Sequence, residues 1–208
     1  MSFALHEIRD DLYSLDEKQF YKKYIIRSDN WYFENVLGVT PDQIINAVDD
    51  FKGIVSENLG ISFHCVMMVG SGKIGYSLSP SVDKFLKPFN DDEKVRKLSD
   101  IDIAIISNEL FHKYWSLFRK SYRYIYEQTY KHVYNEIYRG YINERNLLEV
   151  EGCRKAWVEG SANANKLLYS EMSFKHKIAY RIYRSWEDFE EYNIQNIASI
   201  KRGVKNGI

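Results

Sequence analysis

Apolar positions recur at Ile44, Ile45, Val48, Phe51, Val55 and Leu59, the three- and four-residue spacing that lines one side of an α-helix. Thr40-Pro41-Asp42-Gln43 predicts its start, with a capping threonine, proline at the first helical position and glutamine at the third, and Gly60 its stop. Residues 62–69 run apolar (Ser-Phe-His-Cys-Val-Met-Met-Val) and predict a buried strand closed by Gly70-Ser71-Gly72. The stretch 77–98 is polar, carries Pro80 and Pro88, and predicts a surface connection. Residues 100–107 (Asp-Ile-Asp-Ile-Ala-Ile-Ile-Ser) predict a second strand, and helices are expected over 108–138, up to Gly140, and over 146–169. In 176–184, Ile178, Tyr180 and Ile182 alternate onto one face and predict a third strand. Ser14 with Glu17 has the form of a capping box ahead of a short aromatic helix at 20–24. Ser185 with Asp188 has the same form before a last helix that ends at Gly203. Strands alternating with a surplus of helix predict an α+β or α/β fold.

Composition changes this picture in three places. The 208 residues suit one domain with a full core, or one with a small helical appendage. The 17 Tyr, 11 Phe and 4 Trp can bury a large apolar area and exclude a disordered chain. Tyr114, Phe118, Tyr122, Tyr126, Tyr130, Tyr134 and Tyr138 recur every four positions, a period that drifts around a helix of ~3.6 residues per turn. The rings therefore predict a broad packed flank, or an oligomer or partner-protein interface along 108–138, rather than a straight ladder for stacking bases. Finally, 29 basic and 29 acidic residues cancel, so whole-chain capture of nucleic acid is not the default reading. The balance is uneven, however, because residues 1–108 hold 12 Lys+Arg and 17 Asp+Glu while 109–208 hold 17 and 12. The basic C-terminal half suits an anionic ligand or a solvated helical surface.

Other classes are excluded. No apolar run approaches the ~20 residues that span a bilayer, so no membrane partner is expected. The N-terminus turns acidic before a signal-peptide core could form. Cys65 and Cys153 make no disulfide framework and fit a reducing cytoplasm, and the five histidines never pair at a zinc-ligand spacing. A soluble cytoplasmic protein is the expectation.

The candidate chemistry lies in two short segments. Asp100 and Asp102 stand two apart on a strand and project from one face, while Ile101, Ile103 and Ile105 fill the other. Two carboxylates on a rigid strand suit Mg²⁺, which keeps its remaining ligands for water and phosphate. In Val69-Gly70-Ser71-Gly72-Lys73, the glycines permit close backbone approach, and free N–H groups with the Ser71 hydroxyl suit phosphate oxygens. A P-loop is excluded, because Met67 and Ile74 stand where its glycine and its Ser/Thr would be. Lys73 reads as a phosphate contact or as an exposed loop lysine. Arg181 and Arg184 read as a triphosphate clamp or as solvated strand-edge residues.

In Val69-Gly70-Ser71 and Ser99-Asp100-Ile101-Asp102-Ile103, taken in that order, the chain resembles the nucleotidyltransferase superfamily of DNA polymerase beta. Gly75-Tyr76-Ser77-Leu78-Ser79-Pro80 and Ser99-Asp100-Ile101-Asp102 look like a group of uncharacterised bacterial proteins within it. The resemblance covers about 41–107, and the remainder only in its strand–helix outline. It implies an α+β fold with a small mixed sheet flanked by helices, a helical N-terminal extension over 1–39 and one compact domain over 40–208. It further implies transfer of a nucleoside monophosphate from an NTP to a hydroxyl of a protein or RNA acceptor, as in toxin–antitoxin or phage-defence systems. Gly70, Ser71, Lys73 and Ser99 would then hold the nucleotide, and Asp100 and Asp102 would bind Mg²⁺ or Mn²⁺ and act as the catalytic carboxylates. The superfamily usually adds a third carboxylate from the next strand, but 176–184 has none. It is then Glu149 or Glu151, or it is absent. In the last case the chain is a catalytically reduced binding protein, such as an antitoxin or complex subunit. A nucleic-acid-binding module using the basic half is the third reading.

Overall fold

The computed structural model describes residues 3–28, 30–92, 94 and 97–205. Within them the chain is α+β. The helices are α1 (Leu5–Ser14), α2 (Glu17–Tyr24), α3 (Trp31–Asn35), α4 (Ile44–Leu59) and α5 (Ser71–Ile74). They continue with α6 (Asn108–Lys120), α7 (Glu127–Tyr138), α8 (Glu144–Glu149), α9 (Glu151–Glu171) and α10 (Trp186–Lys205). The strands are β1 (Val66–Val69), β2 (Ile101–Ile106), β3 (Tyr141–Asn143) and β4 (Ile178–Tyr183), forming an open mixed sheet of order β1-β2-β4-β3. β3 and β4 are antiparallel, with Tyr141 opposite Tyr183, Ile142 opposite Ile182 and Asn143 opposite Arg181. No described helix is long and apolar enough to cross a membrane.

The chain divides into two compact units, neither continuous in sequence. The first draws on residues 1–50, 68–102 and 190–208, the second on 51–67 and 103–189.

In the first unit, α1 buries Ile8 and Leu12, one turn apart, and α2 buries Phe20, Tyr21 and Tyr24. The cap of α2 is Asp16 with Gln19, not Ser14 with Glu17. The Gln19 N–H donates to the Asp16 carboxylate at 2.7 Å, and the Asp16 N–H donates to Gln19 Oε1 at 3.1 Å. Ser14 instead closes α1, donating to the Asp10 carbonyl at 2.9 Å. The carboxylate is the stronger acceptor for an orphan helix N–H and wins the position. Asp11 then clips the two helices, accepting from Lys23 Nζ and Tyr24 Oη, each at 2.6 Å. α4 begins at Ile44 rather than at Pro41, because the Gln43 N–H turns back to the Thr40 carbonyl at 2.9 Å.

The second unit is built around aromatic rings. Trp157 in α9 is 1% exposed and packs on Tyr114 and Tyr180, with ring centroids 5.7 and 5.4 Å away. Its indole N–H donates to Glu144 Oε1 at 2.7 Å, and the backbone N–H of Tyr180 donates to Glu144 Oε2 at 3.1 Å. Burial raises the Glu144 pKa, and those two hydrogen bonds oppose the rise. The apolar run 62–69 is not one strand, since Phe63–Cys65 form a 3₁₀ turn and only Val66–Val69 are extended.

The single helix expected over 108–138 is two. α6 ends at Lys120, Arg123 is fully extended, and Tyr124–Tyr126 make a 3₁₀ turn before α7. Across the break the rings of buried Phe118 and half-buried Tyr130 lie 6.0 Å apart, and the Tyr130 hydroxyl donates to the Phe118 carbonyl at the end of α6, which also accepts from the Ser121 N–H at 3.2 Å. β3 was also unforeseen, because three residues carry too short a pattern to read.

Candidate active site

The six residues singled out for nucleotide and metal fall in the first unit, where β1 ends and β2 begins. The chain leaves β1 at Gly70 with φ 68° and ψ −152°, a conformation open essentially to glycine alone. A Cβ there would lie 2.5 Å from Oδ2 of Asp102 and 3.3 Å from its Cγ. The carboxylate therefore sits directly on the bare backbone of the turn, so the fold brings Gly70 and Asp102 together. Asp102 is exposed between Ile101 and Ile103, both 0% exposed, and Asp100 is half-buried just before β2. From Ala104 onward both faces of the strand are buried, so β2 meets solvent only at its acidic start.

The other candidates divide. Ser71 is half-buried and opens α5, its carbonyl accepting from the Gly75 N–H at 2.9 Å. Gly72 serves packing rather than ligand approach, since a Cβ there would meet Ile101 Cδ1 at 3.3 Å and Met68 Sδ at 3.5 Å. Lys73 is not an exposed loop lysine. It is 4% exposed, and its ammonium donates to the carbonyl of Arg27. Ser99 Oγ accepts from the Asn90 N–H at 2.9 Å, while the Ser99 N–H donates to the Asn90 carbonyl at 3.0 Å, closing the loop that delivers Asp100.

Trp31, Tyr32 and Phe89 support this region and went unread in the sequence. Gly75 takes φ 84°, and a Cβ there would meet Trp31 Nε1 at 2.8 Å. The ring of Phe89 lies 5.4 Å from that of Trp31 and 5.7 Å from that of Tyr32. The Phe89 N–H donates to the Gly75 carbonyl at 2.8 Å, and an antiparallel bridge joins Tyr76 to Pro88. The polar connection 77–98 is thus partly a pinned hairpin. The only local signal was the run Trp31-Tyr32-Phe33, whose partners lie far along the chain.

Glu149 and Glu151, in the second unit, already have partners. Glu149 accepts from Thr129 Oγ1 at 2.6 Å and faces Arg145 at 3.4 Å, and Glu151 lies 3.9 Å from Arg123. Among the described residues no group of three or more His, Cys, Asp or Glu side chains is assembled as a metal site. Arg184 grips Asp188 with two hydrogen bonds of 2.6 and 2.7 Å. Arg181 donates to Asn143 Oδ1 at 2.7 Å and lies 5.2 Å from the centre of the Tyr141 ring. Each arginine is fixed within its own unit.

The donor set is therefore the hard carboxylate of Asp102 against a backbone turn stripped of side chain, with that of Asp100 two residues earlier in the chain. This fits a divalent cation such as Mg²⁺, which takes one or two carboxylates and completes its shell with water and phosphate. It does not fit a soft or all-protein metal cage. The chain matches no family model, no curated protein and no solved structure.

Proposed function

We propose that the chain is a nucleotidyltransferase of the polymerase-beta-like fold, moving a nucleoside monophosphate from an NTP to a hydroxyl of a protein or RNA acceptor. The observation that carries this reading is the contact between Gly70 and Asp102. The turn takes a φ and ψ that essentially only glycine adopts, and its missing Cβ lets the Asp102 carboxylate lie directly against the backbone, which supports a site where phosphate oxygens and a carboxylate-held cation meet.

In the proposed reaction the acceptor oxygen bonds to the α-phosphorus, the bond to the bridging oxygen breaks, and pyrophosphate leaves with the hydroxyl proton passing to solvent. Asp100 and Asp102 would hold Mg²⁺ or Mn²⁺, and such an ion would supply positive charge to the triphosphate and acidity to the acceptor hydroxyl. Gly70 and Ser71 bring backbone to the phosphates. Lys73 and Ser99 shape the turn and the loop from behind.

A second reading keeps the fold and drops the transfer. It is motivated by the absence of a third acid from β4 and by the prior engagement of Glu149 and Glu151. The chain would then be a binding protein, an antitoxin or complex subunit that holds a nucleotide without turning it over.

One experiment separates the two. The protein is incubated with each α-labelled NTP and Mg²⁺ or Mn²⁺, with and without cell lysate, beside Asp100→Ala/Asp102→Ala. Label transfer with pyrophosphate release, lost in the double variant, is the expected result. NTP binding without release of pyrophosphate establishes the binding role, and transfer that survives the double substitution removes these aspartates from the site.

A further inference from the structure

Residues 121–126, the middle of the single helix that the sequence predicts, form instead the break between α6 and α7 and leave two tyrosines exposed. Tyr122 is 56% exposed and Tyr124 79%. Tyr122 lines a cavity of about 320 Å³ with Lys120, Arg123, Tyr126 and Lys155, entirely within the second unit, and Tyr124 follows the lining residue Arg123 in the chain. One carboxylate, Glu151, stands against these three cations, 3.9 Å from Arg123.

We propose that this surface binds single-stranded nucleic acid, its phosphates at Lys120, Arg123 and Lys155 and its bases stacked on Tyr122 and Tyr124. Three features point to a polynucleotide. First, cations and aromatic rings alternate along Lys120-Ser121-Tyr122-Arg123-Tyr124, the combination that tracks a backbone while offering flat faces to bases of any sequence. Second, the Tyr122 ring is held in place before any ligand arrives. It meets Tyr130 edge-on at 4.9 Å, and Tyr130 is anchored by its hydroxyl to the Phe118 carbonyl. A ring so fixed loses little freedom when a base stacks on it. Third, the excess of positive charge opposes closure of this surface on a second copy of itself, because a two-fold interface would set like charges face to face. An acidic peptide would satisfy the cations but leave the rings in water.

The inference stands on the cavity and the break, not on Asp100 and Asp102, so the two fail separately. Its test is fluorescence anisotropy of the whole chain with labelled 12-nucleotide oligo(U) and oligo(dT), a duplex of the same length, and heparin as competitor, over 50–200 mM salt. Single strands are expected to bind more tightly than the duplex, with a log–log salt slope of about −2 for three neutralised phosphates. Tyr122→Ala/Tyr124→Ala should weaken binding roughly tenfold or more with the slope unchanged. Arg123→Gln/Lys155→Gln should flatten the slope by about 1.4. Preference for oligo(U) or oligo(dT) names the strand as RNA or DNA. All four side chains are at the surface, and circular dichroism melts of the variants should match the parent. No binding at 50 mM salt, equal affinity for the duplex, or tyrosine variants that bind like the parent would each overturn the proposal. Asp100→Ala/Asp102→Ala should bind the oligonucleotides unchanged.

Discussion

Gly70 carries more constraint than any other residue of the candidate site. An alanine there would force φ 68° and ψ −152° on a side chain that avoids them, and would drive a methyl group into Asp102 at 2.5 Å. Gly70→Ala should cost about 2 kcal/mol of stability from the strained backbone and abolish NTP transfer through displacement of the carboxylate. Gly38→Ala is the control, since Gly38 has φ 68° with nothing near its missing Cβ. It should cost a comparable ~1–2 kcal/mol in urea melts and leave transfer intact. Equal activity in both variants would show that the Gly70 turn is scaffold. The glycine and the aspartate were each legible as a motif. That one lies on the other was not, because residue order says nothing of which atom fills the space a glycine leaves. Lys73 shows the converse: its charge suggested phosphate, and only its burial against the Arg27 carbonyl shows a tie within the fold.

At the scale of elements, the clip between α1 and α2 makes a prediction in pH. Burial pushes the Asp11 carboxyl up, while hydrogen bonds from Lys23 and Tyr24 pull it down further, leaving its pKa below the ordinary value. A carboxylate so depressed adds stability that is complete above its unfolded pKa of about 3.9 and vanishes as pH falls through the lower folded value. Asp11→Asn should therefore lose roughly 1–3 kcal/mol at pH 7, with the gap to the parent closing below about pH 4 in urea titrations. A gap independent of pH would assign the effect to packing. This clip was invisible in the sequence because α1 hides its apolar stripe, Ile8 and Leu12, among four charged residues in ten. β2, β4 and the cap of α10 were legible, since Ile101, Ile103 and Ile105, the alternation from Ile178 and the pair Ser185 and Asp188 are local signals. The aromatic period of four predicted one helix over 108–138. It breaks at Ser121, and the break lets the Tyr130 ring fold back against Phe118, a contact that residues twelve apart on one straight helix, about 18 Å along its axis, could not make.

For the whole molecule, the thiols report which parts open together. Cys153 is 0% exposed, and burial pushes its thiol up to about 12, while Cys65 is half-buried and raised by the same cause. At pH 8 iodoacetamide should alkylate Cys65 slowly and Cys153 only as fast as the second unit unfolds, so that the Cys153 rate rises with urea in step with loss of near-ultraviolet dichroism. Fast native labelling of Cys153 would mean that the core around Trp157 opens locally. The basic excess of the C-terminal half likewise gained a location only in three dimensions, where Lys120, Arg123 and Lys155 share one cavity. By itself the sequence determined the class of the fold, the two long-pattern strands, most helices and the pairing of a glycine turn with an Asp-x-Asp strand. These are properties of neighbours within a few residues, where propensity and periodicity act. The tertiary structure alone decided the break in the aromatic helix, the existence of β3, the burial of Lys73 and the contact of Gly70 with Asp102. Each of these depends on which distant side chain fills a given volume, and close packing settles that only when the whole chain is folded.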